Sequence, residues 1–84
     1  MHVLFTAHGW QDYVYWQNND KKILGKINDL IKEISRDPSG GIGRPEQLKN
    51  VLSGWLSRRI NLEHRLVYKI EKDTIIIAQC RYHY

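Results

Sequence analysis

The sequence predicts an α+β fold in which an N-terminal strand and two helices pack on a mainly antiparallel sheet. Three observations predict it. Residues 2–6 have the pattern of a short strand, residues 10–34 carry apolar side chains at helical spacing, and residues 55–82 contain alternating and β-branched segments. The expected order is therefore one strand, two helices, and then strands joined by short connections.

The first helix is expected directly after His8-Gly9. By i, i+3, i+4 spacing, one face of this helix comprises Trp10, Tyr13, Val14 and Gln17. The aromatic residues of this segment, including Tyr15 and Trp16, are interpreted as core or interface. A base-stacking platform would need cations interleaved with them on a sheet or in a groove, and these residues lie on a helix in the neutral half of the chain.

The second helix is expected after Asn18-Asn19-Asp20, which break the first helix and supply good N-cap residues. Its continuous apolar stripe is Ile23, Ile27, Leu30 and Ile34, flanked by Leu24 and Ile31. Asp37-Pro38 ends the helix. Residues 39–45, rich in glycine and closed by Pro45, predict a loop.

The second half of the chain predicts β-structure. Residues 55–60 are a candidate strand, and residues 65–70 alternate so that Leu66, Tyr68 and Ile70 share one face. Residues 71–73 predict a turn. Residues 74–82 are rich in β-branched side chains and are expected to form the central strand. The helices should cover one face of the resulting sheet.

Composition limits the class of protein. The 84 residues, 42% hydrophobic and 26% charged, predict one domain over residues 1–84 and exclude wholesale disorder. The single cysteine, Cys80, excludes an intramolecular disulfide and a zinc site with several thiolates. No apolar run approaches the ~20 residues that span a bilayer, and residues 1–5 lack a secretory-signal pattern. The expected setting is the cytoplasm, with no membrane contact.

The net charge of +4 lies entirely in the second half. Residues 1–42 carry five basic and five acidic side chains, whereas residues 43–84 carry eight basic and four acidic ones, and five of those eight are arginines. Arginine suits bidentate phosphate contacts. The bias indicates a nucleic-acid or acidic protein partner, with a basic surface kept for solubility as the plainer alternative.

Nucleotide-binding and metal sites are not expected. The glycine-rich residues 40–43 follow a helix and precede a turn, whereas a phosphate cradle follows a strand and opens a helix. The four histidines lack the spacing of a ligand pair, and Cys80-x-x-His83 alone is half a site at best. His64, in a connection between strands, is interpreted as structural. No cofactor is expected.

Metal-free cleavage of RNA needs a base for the ribose 2′-hydroxyl, an acid for the departing 5′-oxygen, and a cation at the phosphorane. Glu46, His83 and Arg65 could supply them, with Arg59 near the end of another strand. Because adjacent strand ends can converge on one edge, these groups could meet. Each also has a plainer interpretation: an ion pair for Glu46, a frayed terminus for His83, and a solvent-facing charge for Arg65.

The ordered combination of motifs resembles the YoeB toxins of bacterial type II toxin–antitoxin systems, within the wider RelE group of small ribonucleases. The resemblance covers essentially the whole chain. Its segments are residues 10–13, 15–16, 26–31, 43–49 (Gly43-Arg44-Pro45-Glu46-Gln47-Leu48-Lys49), 52–54, 57–60, 63–68 and 80–84. The most specific segment is Cys80-Arg81-Tyr82-His83-Tyr84. One departure is Trp55-Leu56, where the family usually has two aromatic residues.

The resemblance implies a microbial-ribonuclease-like fold and cleavage of mRNA in the ribosomal A site. It implies Glu46 as general base, His83 as general acid and Arg65 as the cation at the scissile phosphate. It also implies that Lys49 and Arg59 contact RNA and that Tyr84 helps to place the substrate.

The partners that the resemblance implies are a YefM-type antitoxin, whose C-terminal segment would fold on this surface, and the ribosome with its 16S and 23S rRNA. A homodimer is expected. Operator DNA is expected to be bound only as the toxin–antitoxin complex.

Two other functions remain open. A toxin of the related ParE kind shares the scaffold and acts on DNA gyrase, but it has no need for the acid–base pair that this chain retains. A passive RNA- or ribosome-binding module would tolerate Glu46→Ala and His83→Ala without loss of effect.

Overall fold

The computed structural model describes residues 1–83, and Tyr84 lies outside the described residues. The elements, in chain order, are β1 (His2–Phe5), α1 (Ala7–Asn19), α2 (Lys21–Arg36), β2 (Glu46–Gln47), a single 3₁₀ turn (Asn50–Leu52), β3 (Leu56–Arg59), β4 (Arg65–Glu71) and β5 (Thr74–Gln79). The strands form one sheet in the order β1-β5-β4-β3-β2. Within residues 1–83, β1 pairs with β5 in parallel, and the other three pairs are antiparallel. The predicted fold of two helices on a mainly antiparallel sheet is confirmed.

Helix α2 packs as its sequence pattern predicts. Asp20 caps it, its carboxylate accepting hydrogen bonds from the backbone N–H groups of Lys22 and Ile23. Ile27, Leu30 and Ile34 are fully buried. They join the sheet residues of the core, Leu66, Tyr68, Ile75 and Ile77, in one apolar cluster.

The buried face of α1 is not the one that the spacing of Trp10 predicts, although Trp16 lies in the core and Tyr13 and Tyr15 pack against it, as their interpretation as core or interface residues predicts. The buried residues of this helix are Gly9, Asp12 and Trp16, whereas Trp10 is 51% exposed. The reason is a close approach of the helix to β5: a Cβ atom added at Gly9 would collide with the carbonyl oxygen of Ile77. The helix therefore docks through its smallest residue.

Strand β5 is shorter than predicted and is not the middle strand. It ends at Gln79 rather than Tyr82, and β4 lies at the centre of the five. The strand ends there because α1 takes the next backbone groups. The N–H of Cys80 donates to the Asp12 carboxylate (3.0 Å), and its carbonyl accepts from Trp16 Nε1 (2.8 Å). A hydrogen-bond ladder cannot continue through groups that are already bonded.

The short strand β2 has no counterpart in the sequence prediction. Glu46 and Gln47 pair with Ser57 and Leu56 of β3 and form one edge of the sheet. Within residues 1–83, no helix has the length and apolar character needed to cross a membrane.

Candidate active site

The register of the sheet brings together residues that are far apart in sequence. Glu46 lies opposite Ser57, Ser57 opposite Val67, and Val67 opposite Gln79, so these four form one row across β2, β3, β4 and β5. Residues that are directly opposite in neighbouring strands project from the same face of a sheet. The row therefore occupies one face.

That face is the one turned away from the helices, and we call it the open face. Leu66 and Tyr68 of β4 point into the core beneath the helices. Because successive side chains of a strand alternate between faces, Arg65 and Val67 point the opposite way. Arg59, directly opposite Arg65, joins them on the open face.

The open face thus carries Glu46 in one row and the Arg59–Arg65 pair in the next. Ser57 and Arg59 are two residues apart on β3, so the rows are about 7 Å apart. A carboxylate and two guanidinium groups at this spacing can act on one phosphodiester, the carboxylate on the ribose and the guanidinium groups on the phosphate oxygens.

Two buried donors on the open face have no hydrogen-bond partner among the described residues. They are Arg65 Nε and Ser57 Oγ, the latter on a side chain that is 0% exposed. An unsatisfied buried donor costs about 1–3 kcal/mol. Nothing in the sequence marks Ser57 as a site residue, because its position opposite Glu46 depends on the register.

Glu46 is held by the loop that precedes β2. The Gly43 carbonyl accepts a hydrogen bond from the backbone N–H of Arg59 (2.6 Å), which joins the loop to β3. Gly43 has a φ of +87°, and a Cβ atom there would lie 2.7 Å from Leu30 Cδ2. The loop therefore needs glycine at this position, for both its conformation and its space.

Arg58 anchors the same loop from beneath the sheet. It is fully buried, and its guanidinium donates to Tyr68 Oη (3.1 Å) and to the carbonyls of Ile42 (2.9 Å) and Asp37 (2.6 Å). Tyr68 Oη donates in turn to the Pro38 carbonyl (2.8 Å). This arginine is therefore part of the scaffold, although the sequence shows it only as one of two adjacent cations.

Lys49 lies close to Glu46. Both are exposed, and both line a cleft of about 380 Å³ with Gln47, Leu48, Asn50 and Leu52. The sequence-predicted Lys49 is thus beside the sequence-predicted base. Within residues 1–83, no group of three or more His, Cys, Asp or Glu side chains is arranged to hold a metal ion.

The segment after β5, residues 80–83, bends back along the start of β4. The backbone N–H of Arg65 donates to the Tyr82 carbonyl (3.0 Å), and the Tyr82 N–H donates to His64 Nδ1 (2.7 Å). Gln79 Nε2 donates to the carbonyls of Arg81 (3.3 Å) and His83 (3.0 Å).

His83 is therefore tied through its own carbonyl to Gln79, while the residue before it, Tyr82, is bonded to Arg65, the first residue of β4. Its exposed ring also contacts the sheet-side loop, with Nε2 at 3.4 Å from the Leu62 carbonyl. The predicted strand over residues 74–82 does not extend to the residue before His83, since β5 ends at Gln79. The segment is held by hydrogen bonds instead.

Comparison with known proteins adds an independent line of evidence. The model of the YoeB-like toxin family of bacterial type II toxin–antitoxin systems matches residues 5–84. A toxin YoeB from Streptomyces coelicolor is 55% identical over 84 residues, which is the full length of both chains. The chain belongs to this family.

Solved structures agree with that assignment. A YoeB/ParE toxin from Agrobacterium tumefaciens superposes with a TM-score of 0.97 at 43% identity, over the full length of both chains. A Staphylococcus aureus YoeB, solved as a dimer and in a complex with YefM, superposes with a TM-score of 0.94 in each at 50% and 49% identity. The superposition covers all of this chain and 98% of that one.

The departure at Trp55-Leu56 leaves the family fold intact. Leu56 packs against the core cluster. Trp55 is half-buried, and the ammonium group of Lys69 lies over its ring at 4.7 Å from the centroid. The remaining predicted site residue, Tyr84, lies outside the described residues.

Proposed function

We propose that this chain is a single-domain toxin that inhibits translation as a metal-free endoribonuclease, cutting mRNA in the ribosomal A site. The observation that carries the proposal is the open face. Glu46 and the Arg59–Arg65 pair share it, and the segment bearing His83 is bonded to the first residue of β4. Family membership supports the same conclusion.

In the proposed reaction Glu46 accepts the proton of a ribose 2′-hydroxyl while that oxygen attacks the adjacent phosphorus. Arg65 stabilises the negative charge that develops on the phosphorane, with Arg59 and Lys49 contacting neighbouring phosphates. His83 donates a proton to the departing 5′-oxygen. The bond from phosphorus to the 5′-oxygen breaks, which leaves a 2′,3′-cyclic phosphate and a 5′-hydroxyl. Tyr84 is proposed to help place the substrate.

The partners follow from the surface and from the relatives. The basic second half suits an acidic antitoxin segment that folds on binding, and the S. aureus relative is solved with YefM. We propose a YefM-type antitoxin, a homodimer like that of the same relative, and a cytoplasmic location with the ribosome and its 16S and 23S rRNA. Operator DNA would be bound only by the toxin–antitoxin complex.

The deciding experiment is primer extension on a defined mRNA in a purified translation system, with and without ribosomes. Wild type is compared with Glu46→Gln and His83→Ala. Asp29→Asn and His2→Ala serve as matched controls, because Asp29 and His2 are exposed on α2 and β1. We expect cuts at A-site codons in wild type and controls, and none in the two site variants.

Two other outcomes would contradict the nuclease proposal. Arrest of translation with intact mRNA, equal in all variants, would indicate a passive ribosome-binding module. Normal translation combined with inhibition of purified DNA gyrase would indicate a toxin of the ParE kind. The A. tumefaciens relative is described as a YoeB/ParE toxin, so this alternative is included.

A further inference from the structure

We propose that His64 is a positioning residue for the cleavage reaction, because its Nδ1 atom fixes the segment that carries His83. The inference rests on the proposed nuclease function. His64 itself is not expected to touch the substrate: the residue is 5% exposed and is hydrogen-bonded to the segment of residues 80–83.

His64 is held in place by contacts outside the segment of residues 80–83. Its backbone carbonyl accepts hydrogen bonds from the N–H groups of Ile60 (3.0 Å) and Asn61 (3.3 Å), and its own N–H donates to Asn61 Oδ1 (2.8 Å). The ring packs edge-on against Trp16 of α1, with the centroids 4.8 Å apart. Nδ1 is therefore presented in a fixed direction.

Tyr82 is the residue that His64 positions. Its N–H donates to His64 Nδ1 at 2.7 Å, and its carbonyl accepts from the N–H of Arg65 at 3.0 Å. Two consecutive residues, His64 and Arg65, thus bind both backbone groups of one residue. Tyr82 also has a φ of +65°, a left-handed conformation that a non-glycine residue adopts only when its surroundings hold it there.

His83 follows Tyr82 directly, so the position of its backbone depends on the conformation of Tyr82. If the bond to His64 is lost, the strained Tyr82 is free to relax toward negative φ. That change would move His83 relative to Arg65. A misplacement of about 1 Å in a catalytic group can cost about 10²-fold in rate.

The contact exists only when His64 is neutral, because an acceptor nitrogen carries no proton. The proton of the neutral ring is then on Nε2, which lies 3.4 Å from Glu63 Oε1. In the imidazolium form both nitrogens carry protons, and Nδ1–H would oppose the Tyr82 N–H. Protonation of His64 should therefore release residues 80–83.

Several charged and titratable groups lie near His64. Glu63 from the same loop and Asp20 from the junction of the helices are acidic, and Arg81 is basic. They line one polar cleft of about 310 Å³ with His64. The phenols of Tyr15 and Tyr82 complete the titratable lining.

The test compares His64→Asn with His64→Leu. Asn places Oδ1 near the position of Nδ1 and accepts a hydrogen bond without titrating, whereas Leu fills a similar volume without an acceptor. We expect His64→Leu to lose about 10²-fold in single-turnover cleavage on programmed ribosomes at pH 7.5. Ribosome binding should be unchanged, and His64→Asn should retain most of the activity.

The pH profile provides the second readout. Wild type loses the bond to Tyr82 when His64 gains a proton, whereas His64→Asn keeps an acceptor at every pH. The cleavage rate of wild type should therefore fall more steeply toward acid pH than that of His64→Asn. If His64→Leu does not fold, this comparison alone decides. Equal losses in His64→Asn and His64→Leu, or superimposable profiles of wild type and His64→Asn, would overturn the proposal.

A measurement without ribosomes separates this inference from the nuclease proposal. Exchange of the Tyr82 amide hydrogen, followed by NMR, should be slow in wild type and His64→Asn and fast in His64→Leu. Equal exchange in all three proteins would overturn the positioning role whatever the activity. Slow exchange in wild type and His64→Asn with fast exchange in His64→Leu would support the contact between His64 and Tyr82. If wild type then cleaved no mRNA, the nuclease proposal would be rejected while the contact stands.

Discussion

At the residue scale, two adjacent arginines take opposite parts because they occupy adjacent positions of one strand. Arg58 points into the core and bonds Tyr68 and two loop carbonyls, whereas Arg59 points to the open face beside Arg65. Residue type alone does not distinguish them. The alternation of side chains along β3 does distinguish them, but only when the strand register and the face covered by the helices are known.

Replacing each arginine with methionine should distinguish the structural role of Arg58 from the RNA-contacting role proposed for Arg59. Arg58→Met removes three hydrogen bonds and the side chain that joins the loop carbonyls of Ile42 and Asp37 to β3, so we expect it to lower the free energy of unfolding by about 3 kcal/mol. Arg59→Met should change stability by less than about 0.5 kcal/mol and weaken RNA contacts. Urea unfolding measures the stability of both variants. Equal stability of the two variants would contradict the assignment of Arg58 to the scaffold.

The general acid is the second prediction at this scale. We expect His83→Ala to reduce single-turnover cleavage by about 10²- to 10⁴-fold, because the 5′-oxygen would leave without a proton. Binding to the ribosome should be retained, since no phosphate-binding cation is removed. Filter binding to programmed ribosomes is the control, and a parallel loss of binding and cleavage would instead make His83 a structural residue.

At the scale of elements, the sequence predicts regular segments better than their contacts. The stripe of α2 and the turn before β5 are confirmed, because periodicity and turn residues are local signals. The face of α1 is not predictable in this way. It is decided first by the close approach of Gly9 to the backbone of Ile77, where a side chain would not fit. It is decided second by a hydrogen bond from the Cys80 N–H to Asp12, 68 residues away in sequence.

A pair of glycine substitutions tests this explanation of helix docking. Gly9→Ala should destabilise the protein by more than about 2 kcal/mol, because the new methyl group meets the backbone of β5 and the helix must shift. Gly25→Ala, in α2, meets nothing within 4 Å and should stabilise by about 0.5–1 kcal/mol. Thermal unfolding distinguishes them, and a Gly9→Ala protein as stable as wild type would disprove the close approach.

At the scale of the whole molecule, the sheet separates an apolar face under the helices from a polar face that carries the candidate site. The sequence predicts the acid, the base and the cations by type and motif. It cannot predict that Glu46, Ser57 and Gln79 lie in one row, because the row depends on three registers and on a bulge between Val67 and Tyr68. The same limit explains why two features emerge only from the structure: the bond between His64 and Tyr82, and a Ser57 Oγ atom that has no hydrogen-bond partner within residues 1–83.

Cys80 links the two layers of the molecule and gives the fold a dependence on pH. It is fully buried between α1 and β5, and its thiol lies 3.8 Å from the Gly9 carbonyl. Burial, and secondarily the charge of Asp12, raises the pKa of this thiol from about 9 to about 12. The unfolded chain loses the proton at lower pH than the folded chain does, so ionisation favours the unfolded state.

The stabilisation by the protonated thiol is therefore complete below pH 9 and is lost as the pH rises toward 12. We expect wild type to lose up to about 1.4 kcal/mol of stability per pH unit in this window, relative to Cys80→Ala. Tyrosines and lysines titrate in both proteins, so the difference between their urea-unfolding curves at pH 8, 9.5 and 10.5 isolates Cys80. A constant difference across that range would mean that the thiol ionises as readily in the folded molecule as in the unfolded chain. In that case water would reach the thiol in the folded protein, and α1 would not pack against β5 as closely as the buried Cys80 and Gly9 indicate.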